Sequence, residues 1–469
     1  MGGFAGLFGA PSSSTLRRMA RVLDARGPAA RWELAEGGAA FVVAASGVPG
    51  PGSPVGSAEG VLVAVDGPVP GLKALAAEME LEADAEVGVV LARLVARTGF
   101  SRAFARLPGD VSLAAWDVTA ARGWLARDRA GARALRWARV EGGIAFCTDP
   151  RGLLVAGLIE PGREAGGLAA GQVMEVCGDV VSPGAVPLAP VHPRGSAGNF
   201  DRWTRSLRFG LDLAYATRVR SCQPHAIALS GGAASAALVA VRPREAGPSV
   251  ALTLRGPRGI EPGVHALAAA AGVRLVEVAW DADVLASLME EVAPAAAWAR
   301  PEAWAWAALA RAAWREGALG MVTGVGAGHG FDPPVMGRLS GLVGRWAREV
   351  TPEEERARTA RGLLLPEVEL ADLDAGCASF GLDAIAPFAD PAVLGVACAV
   401  PAGAHHAGGR RALLVAVARA GGVDRASRAP EPWLVLSKGL LPGLPDEPVA
   451  MRRSFAEHMG ARGLLAPTG

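Results

Sequence analysis

The sequence predicts two successive domains: an α+β domain with antiparallel sheets over residues 1–190, and an α/β domain with a parallel sheet over residues 200–469. Two observations predict this order. Short β-type runs separated by Gly and Pro fill the first part, as is typical of antiparallel strands. In the second part strands alternate with helices, which favours a parallel sheet, and from about residue 284 the pattern is mostly helical.

Composition narrows the classes of partner. The chain has 469 residues, of which 51% are hydrophobic, so it can bury large cores in two to three domains. A formal net charge of +1 argues against a nucleic-acid partner. Because there is no apolar run of about 20 residues, no membrane partner is expected. The five cysteines lack metal or disulfide spacing and no signal peptide is recognisable, so we expect a cytoplasmic protein.

Local patterns predict the elements of the first part. Four apolar runs predict strands, at residues 40–44, 61–65, 111–116 and 123–126. A helical period predicts a helix near Glu78 to Thr98. A Pro-rich passage then predicts the linker between the domains. Its turn-forming residues are Ser182, Pro183, Pro187, Pro190, Pro193 and Gly195.

The second part begins with alternating elements. Apolar strands are predicted near residues 225–229, 249–254 and 273–279, with a helix after the first and another near 263–271. Parallel sheets bind ligands at the carboxyl ends of their strands. The loop after the first strand is therefore the first candidate site.

That loop is residues 230–235, S-G-G-A-A-S, which join the strand to a helix start. Backbone N–H groups at such a junction favour anions. The loop resembles the pyrophosphate loop of ATP pyrophosphatases, S-G-G-x-D-S, in which the acidic residue helps to hold Mg²⁺; here that position is Ala234. The resemblance gives four candidate nucleotide-binding residues, Ser230, Gly231, Gly232 and Ser235. A plain strand-to-helix turn is the alternative.

A second loop, residues 321–331, resembles the phosphate-side loop S/T-G-x-G-x-D-E-x-F of asparagine synthetases. Gly324 and Gly326 match its glycines and are further candidate nucleotide-binding residues. The acidic pair is replaced by Gly328 and His329, for which an ordinary loop histidine is the alternative to a ligand. Because Ala234 and Gly328 stand at the acidic positions, no bound metal is expected.

Later segments resemble the same family. Residues 381–391 resemble G-V-E-x-R-x-P-F-L-D, with Asp383 at the acidic place. Residues 411–415 resemble K-x-L-L-R, in which Arg411 keeps a cation and is a candidate cofactor-binding residue. Lys438 stands where the family has a lysine before a glycine or an aromatic residue. Asp383 and Lys438 are therefore candidate catalytic residues, with a solvated surface lysine as the alternative for Lys438.

The first part carries independent resemblances. Residues 107–117 resemble L-x-G-x-F-A-x-x-x-x-D, residues 125–131 resemble L-A-R-D-R-x-G, and residues 145–149 resemble F-A-S-E. In order along the chain, these segments are similar to the asparagine synthetase superfamily, whose relatives include β-lactam synthetases and lasso-peptide macrolactam cyclases. The resemblance implies a degenerate class II glutamine amidotransferase domain, an Ntn glutaminase-like αββα sandwich, followed by a PP-loop synthetase-like domain.

Two departures from the family bear on activity. Glutamine-dependent members begin Met-Cys-Gly, and that cysteine is the nucleophile that attacks the glutamine amide. Gly2 takes its place here, so we expect no glutamine hydrolysis. Lactam-forming relatives also use a tyrosine–glutamate pair, whereas Tyr215, the single tyrosine of this chain, lies upstream of the Ser230 loop on a predicted helix.

These departures predict a substrate-binding pseudoenzyme or an ATP-independent catalyst of a natural-product or peptide-maturation pathway, with carboxylate adenylation lost or impaired. We expect it to bind a peptide or small-molecule biosynthetic intermediate, with an active paralogue or a precursor peptide as a further partner, and to require no cofactor. The alternative is an active ATP-dependent amide- or macrolactam-forming ligase, which would need ATP and Mg²⁺.

Several tryptophans precede the second loop. Trp298, Trp304, Trp306 and Trp314 lie in or beside one predicted helix. The first three could bind an apolar or peptide substrate, because tryptophan offers a large contact area. Ordinary packing of the helix against the sheet is the favoured alternative.

Overall fold

The structure is a computed structural model that describes residues 2–185, 200–291, 301–331, 366–400 and 412–423. Within these ranges, short gaps occur at 10, 28, 46–51, 108–109, 129–130, 160–165, 179, 221, 257–258, 262, 282 and 289–290.

The first part of the chain forms two six-stranded sheets. The strands are β1 (Gly3–Phe8), β2 (Ala30–Glu36), β3 (Ala39–Ala45), β4 (Val55–Ala58), β5 (Val61–Asp66), β6 (Ser112–Asp117), β7 (Arg122–Ala126), β8 (Arg136–Val140), β9 (Gly143–Cys147), β10 (Gly166–Gly167), β11 (Gln172–Cys177) and β12 (Val180–Ala185). The first sheet has the order β10-β8-β9-β1-β3-β2 and the second the order β12-β11-β7-β6-β5-β4. All neighbouring strands are antiparallel, which confirms the predicted sheets.

Helices cover the outer face of each sheet. They are α1 (Ser13–Arg26), α2 (Leu72–Glu78), α3 (Val87–Thr98), α4 (Phe100–Ala105) and α5 (Pro150–Val155). One hydrophobic core lies between the two sheets, a second between the first sheet and α1 with α5, and a third between the second sheet and α2 to α4. This is the helix–sheet–sheet–helix order that the resemblance implies.

The sequence of each strand reflects its place in these layers. β3, AAFVVAA, is buried over nearly its whole length, because one face meets the core between the sheets and the other meets α1. β2, ARWELAE, alternates between half-buried and exposed residues, because Trp32 and Leu34 pack on the core between the sheets while the other face is exposed. Gly123 lets the sheets approach, since a Cβ there would lie 2.5 Å from the Phe8 ring.

The second part contains a five-stranded parallel sheet. Its strands are β13 (His225–Ala228), β14 (Val250–Arg255), β15 (Leu275–Ala279), β16 (Gly320–Val322) and β17 (Asp383–Ile385). Its helices are α6 (Phe200–Val219), α7 (Ala233–Val241), α8 (Gly263–Ala271), α9 (Pro301–Arg315), α10 (Ala327–Phe331), α11 (Pro366–Ala378), α12 (Pro391–Ala399) and α13 (Ala412–Ala420). The core on one face includes residues of α6, α7, α8, α12 and α13, and the core on the other includes residues of α9 and α11.

Two predicted boundaries differ from the structure. The helix predicted near Glu78 to Thr98 is two helices, because α2 ends at Glu78 and Glu80 adopts φ 58°, which a helix does not allow. The predicted linker begins within β12, where Pro183 is tolerated because β12 is an edge strand. Residues 186–199 lie outside the described ranges, so the division into domains stays a prediction.

A membrane span would need a longer and more apolar helix than any in the described ranges.

Candidate functional site

The crevice between β13 and β16 is the first candidate site, because the strand order β15-β14-β13-β16-β17 reverses there. β13 ends at Ala228, and α7 begins at Ala233 with Gly232 as its N-cap. Between them, Gly231 has φ 79°, a conformation that favours glycine. The loop that starts at Ser230 therefore has the strand–turn–helix geometry that the sequence predicts.

The two serine hydroxyls of this loop face each other. The Ser230 backbone N–H donates to Ser235 Oγ at 3.0 Å, and the two hydroxyl oxygens lie 3.1 Å apart. Both side chains are buried. The hydroxyls therefore use part of their hydrogen-bonding capacity on each other, and a phosphate would have to compete with that pair.

Neighbouring groups also fill the space around the loop. A Cβ added to Gly231 would lie 2.5 Å from Glu261 Cγ. One added to Gly324 would lie 2.9 Å from Ala234 Cβ, so the loops after β13 and β16 touch at the position where the family has its acidic residue.

The loop after β16 is held by backbone contacts to the neighbouring strand. The Thr323 N–H donates to the Ile385 carbonyl at 2.9 Å, and Gly326 adopts φ 90°. Gly324 lies against Ala234, whereas Gly326 lies against the backbone at residues 388–389. Of the two predicted glycines, the structure thus brings Gly324 to the Ser230 loop.

Asp383 lies at the amino ends of the parallel strands, whereas the Ser230 loop lies at their carboxyl ends. Asp383 is the first residue of β17 and pairs in register with Gly320 of β16. Gly320 in turn pairs in register with His225, the first residue of β13. The Ser230 loop follows the carboxyl end of β13, and five extended residues span roughly 16 Å. Asp383 is buried and acts electrostatically on Arg133 of the first part. The structure therefore does not bring Asp383 together with the Ser230 loop.

Two other predicted residues, Arg411 and Lys438, lie outside the described ranges, and their roles stay predictions. Within the described ranges no group of three or more His, Cys, Asp or Glu side chains is placed to hold a metal ion. Tyr215 lies on α6, and its helical position agrees with the sequence prediction. It is buried in the core on one face of the parallel sheet, with its hydroxyl 3.1 Å from His225 Nε2.

The second candidate site surrounds Gly2, at the position of the family's nucleophile. A Cβ at this position would lie 2.3 Å from the Ala44 carbonyl oxygen, so the backbone leaves no room for a side chain. The Gly2 carbonyl accepts a hydrogen bond from Arg26 Nε at 2.6 Å. Nearby, Thr148 Oγ1 accepts from the Phe4 N–H at 2.9 Å, which occupies that hydroxyl.

Buried charges connect this site to the second part of the chain. Arg26 Nη2 lies 3.0 and 2.8 Å from the two carboxylate oxygens of Asp374, on α11. Arg133 lies 3.6 Å from the same carboxylate. Burial by itself would lower the pKa of Arg26, but Asp374 and Asp149 outweigh it and raise that pKa above its ordinary value. Burial likewise opposes the charge of Asp149, yet Arg151 and Arg26 hold its pKa below its ordinary range.

A small cavity of about 70 Å³ lies among these charges. It is lined from the first part of the chain by residues that include Arg26, Arg136, Asp149 and Arg151, and from α11 by Asp372 and Asp374. That volume suits a few water molecules or a small ion. Sequence reasoning missed this cluster; its one signal was the pair of aspartates inside the apolar helical run of α11.

The tryptophans divide into two groups. Trp304 is buried in the core beneath the sheet, and Trp306 packs partly against the same core. Trp314 is 55% exposed. Packing against the sheet accounts for Trp304 and Trp306, whereas Trp298 lies outside the described residues.

A comparison with protein families identifies the first part of the chain. Residues 1–176 match the glutamine amidotransferase domain family. The match covers the αββα sandwich almost to the end of β11 and includes Gly2. The first part therefore has an Ntn-like amidotransferase fold, and a parallel sheet follows it. No curated protein matches the chain.

Solved structures show more distant similarity. Glutamine phosphoribosylpyrophosphate amidotransferase from B. subtilis, complexed with ADP and GMP, aligns with a TM-score of 0.31 and 13% identity over 59% of this chain and 65% of that one. A structure described as the allosteric regulatory enzyme of purine biosynthesis aligns with a TM-score of 0.32 and 13% identity over 59% and 64%. This chain thus spans less than two thirds of either protein.

Proposed function

We propose that this protein is an amidotransferase-type protein without glutamine hydrolysis, which acts as a substrate-binding pseudoenzyme or ATP-independent catalyst. The observation that carries the proposal is Gly2. Family members use a cysteine thiolate there, and a thiol at this position would need a Cβ where the Ala44 carbonyl now lies.

Three described side chains near Gly2 are poorly suited to replace that nucleophile. Burial raises the pKa of the Cys147 thiol to about 12, so it stays protonated at neutral pH. The Thr148 hydroxyl binds the Phe4 backbone, and Arg26 is engaged by the Gly2 carbonyl and by Asp374. These three side chains are engaged or protonated, which supports a loss of the hydrolytic step.

We further propose that the second part is a synthetase-like domain with a degenerate PP-loop, as in the asparagine synthetase superfamily. The strand–turn–helix geometry at Gly231 supports the relationship. The non-acidic residues Ala234 and Gly328 support a loss or impairment of ATP-dependent adenylation, because neither can help to hold Mg²⁺. A peptide or a small biosynthetic intermediate is the proposed ligand.

Restoring the missing thiol tests the first proposal. We expect the wild-type protein and the Gly2→Cys variant both to release no glutamate from glutamine, because the added side chain overlaps backbone at Ala44. The measurement is glutamate release by a coupled assay, with Gly2→Ala as the matched control for the Cβ alone. Glutamine hydrolysis by the wild-type protein would overturn the proposal, and hydrolysis by Gly2→Cys alone would overturn the steric argument at Ala44.

An active ATP-dependent amide- or macrolactam-forming ligase is the second candidate, since the helix N-terminus at Gly232 retains backbone N–H groups suited to phosphate. The two candidates differ in pyrophosphate release. The pseudoenzyme should release none with ATP, Mg²⁺ and candidate carboxylates, and should give no Mg²⁺-dependent heat on titration with ATP. AMP formed together with a joined product would establish the ligase instead.

A further inference from the structure

A second set of buried ion pairs joins the two parts of the chain. Arg218, on α6, forms a bidentate pair with Asp110, at 2.8 Å from Nε to Oδ2 and 2.8 Å from Nη2 to Oδ1. Its remaining nitrogen, Nη1, donates to Asp390 Oδ2 at 2.6 Å. Asp110 precedes β6 in the amidotransferase-type part, whereas Asp390 belongs to the second part, which contains the parallel sheet. We call these three residues the Arg218 bridge.

The bridge is placed where charge interactions are strong. Arg218 and Asp110 are both buried, and the side chain of Asp390 is 18% exposed. Burial would lower the pKa of Arg218, but the carboxylates of Asp110 and Asp390 outweigh it. Removing one partner would leave an uncompensated buried charge, so the three residues hold their positions together.

Asp390 also fixes the start of a helix. Its Oδ1 accepts the Ala392 N–H at 2.8 Å as the N-cap of α12, while Oδ2 faces Arg218. The two oxygens of one carboxylate therefore serve two separate contacts. A shift of Arg218 would therefore displace the Asp390 carboxylate and weaken its hydrogen bond to the N-terminus of α12.

The segment before Asp390 contacts the loop after β16. The Phe388 ring packs edge-on against Phe331, with centroids 6.1 Å apart. The Phe388 and Ala389 backbone lies 3.4–3.5 Å from where a Cβ of Gly326 would be. A continuous set of contacts thus runs from Asp110, through Arg218 and Asp390, to the loop beside the candidate nucleotide site.

We propose that the Arg218 bridge couples the amidotransferase-type part to the loop after β16 and the short helix α10 that follows it (residues 324–331), so that the first part controls the conformation of this loop although it lacks the family's nucleophile. This inference does not rest on the proposed function, because it holds whether or not the loop binds a nucleotide. It gives the first part a conformational role in the present protein.

Hydrogen exchange of the full-length protein tests the coupling. Asp110→Asn keeps the size of the side chain but removes its charge, and the Asp110 carboxylate is bound by Arg218, which belongs to neither α12 nor the loop. We expect exchange at residues 324–331 and 391–399 to rise roughly tenfold, the factor that corresponds to 1.4 kcal/mol. Exchange that changes only around Asp110 and Arg218 would overturn the proposal.

Two further variants keep the test decisive. Glu78→Gln removes a carboxylate from an exposed arginine pair in the same part of the chain, and it should leave the exchange of both segments unchanged. Asp390→Asn retains a good N-cap but weakens the contact with Arg218. If Asp110→Asn does not fold, Asp390→Asn should raise exchange at residues 110–117, and no rise there would refute the coupling.

Discussion

At the residue scale, glycines occupy key positions in both candidate sites of this protein. Gly2, Gly231 and Gly324 each lie against an atom that a Cβ would meet at 2.9 Å or less. A side chain at Gly2 would meet the Ala44 carbonyl, and a side chain at Gly324 would meet the Ala234 methyl group. Close packing at these three glycines therefore opposes the addition of any side chain.

The two adjacent glycines of the first loop give a matched pair. Gly231→Ala should destabilise the protein by about 1–3 kcal/mol, because φ is 79° and the new methyl group meets Glu261. Gly232→Ala has φ −79° and its nearest atom is 3.5 Å away, so its cost should stay below about 1 kcal/mol. Urea denaturation of both variants measures the difference, and equal costs would contradict this geometry.

Asp128 predicts a pH dependence of stability. Burial, and then the charge of Asp110, raise the pKa of Asp128 from 3.8 to about 6. The folded state therefore binds a proton more tightly than the unfolded state, so this contribution is full below about pH 4 and is lost as the pH rises through about 6.

The loss amounts to roughly 3 kcal/mol for two pKa units. Denaturation between pH 4 and 7 should show this decline, and Asp128→Asn should flatten it. If the stability of Asp128→Asn fell by the same amount between pH 4 and 7, the pH dependence would belong to other groups.

At the element scale, the most specific sequence resemblance proves to hold a turn. In residues 125–131, Arg127 donates to the carbonyls of Gly131, Arg133 and Leu168, at 2.6, 2.6 and 2.8 Å. Asp128 accepts the N–H groups of Ala132 and Arg133 at 3.0 and 2.9 Å. These buried side chains satisfy backbone groups, so Arg127 and Asp128 have a structural role in this turn.

The tryptophans of α9 give an element-scale prediction. Trp304→Ala should destabilise the protein by about 3–5 kcal/mol, because the side chain is buried in the core under the sheet. Trp314→Ala, at a position that is 55% exposed, should cost less than about 1 kcal/mol. Thermal unfolding compares them, and a small effect of Trp304→Ala would reopen the ligand-binding interpretation.

At the scale of the whole molecule, buried ion pairs hold the two parts of the chain together. Arg26 with Asp374 forms one contact, and the Arg218 bridge forms another. Residues 348 positions apart in the sequence meet in the first of these pairs. The site that carries the nucleophile in glutamine-dependent relatives is therefore also where this chain anchors α11.

A double-mutant cycle measures that anchor. Arg26→Met and Asp374→Leu should each cost about 3–5 kcal/mol, because each leaves a buried charge without its main partner. The double variant should be more stable than the sum of these costs predicts. An exposed pair, Arg31 with Glu33, provides the control and should show coupling below about 1 kcal/mol. Additive costs at Arg26 and Asp374 would contradict the anchor.

The sequence by itself determined the antiparallel first part, the parallel sheet and the turn at Ser230, because alternation of apolar residues and glycine placement are local patterns. It also located Gly2. Only the tertiary structure decided that Asp383 lies at the far edge of the sheet, that Gly324 closes on Ala234, and that Arg26 reaches Asp374. Those contacts join residues distant in the chain, and their distances depend on how sheets and helices pack, which no local pattern encodes.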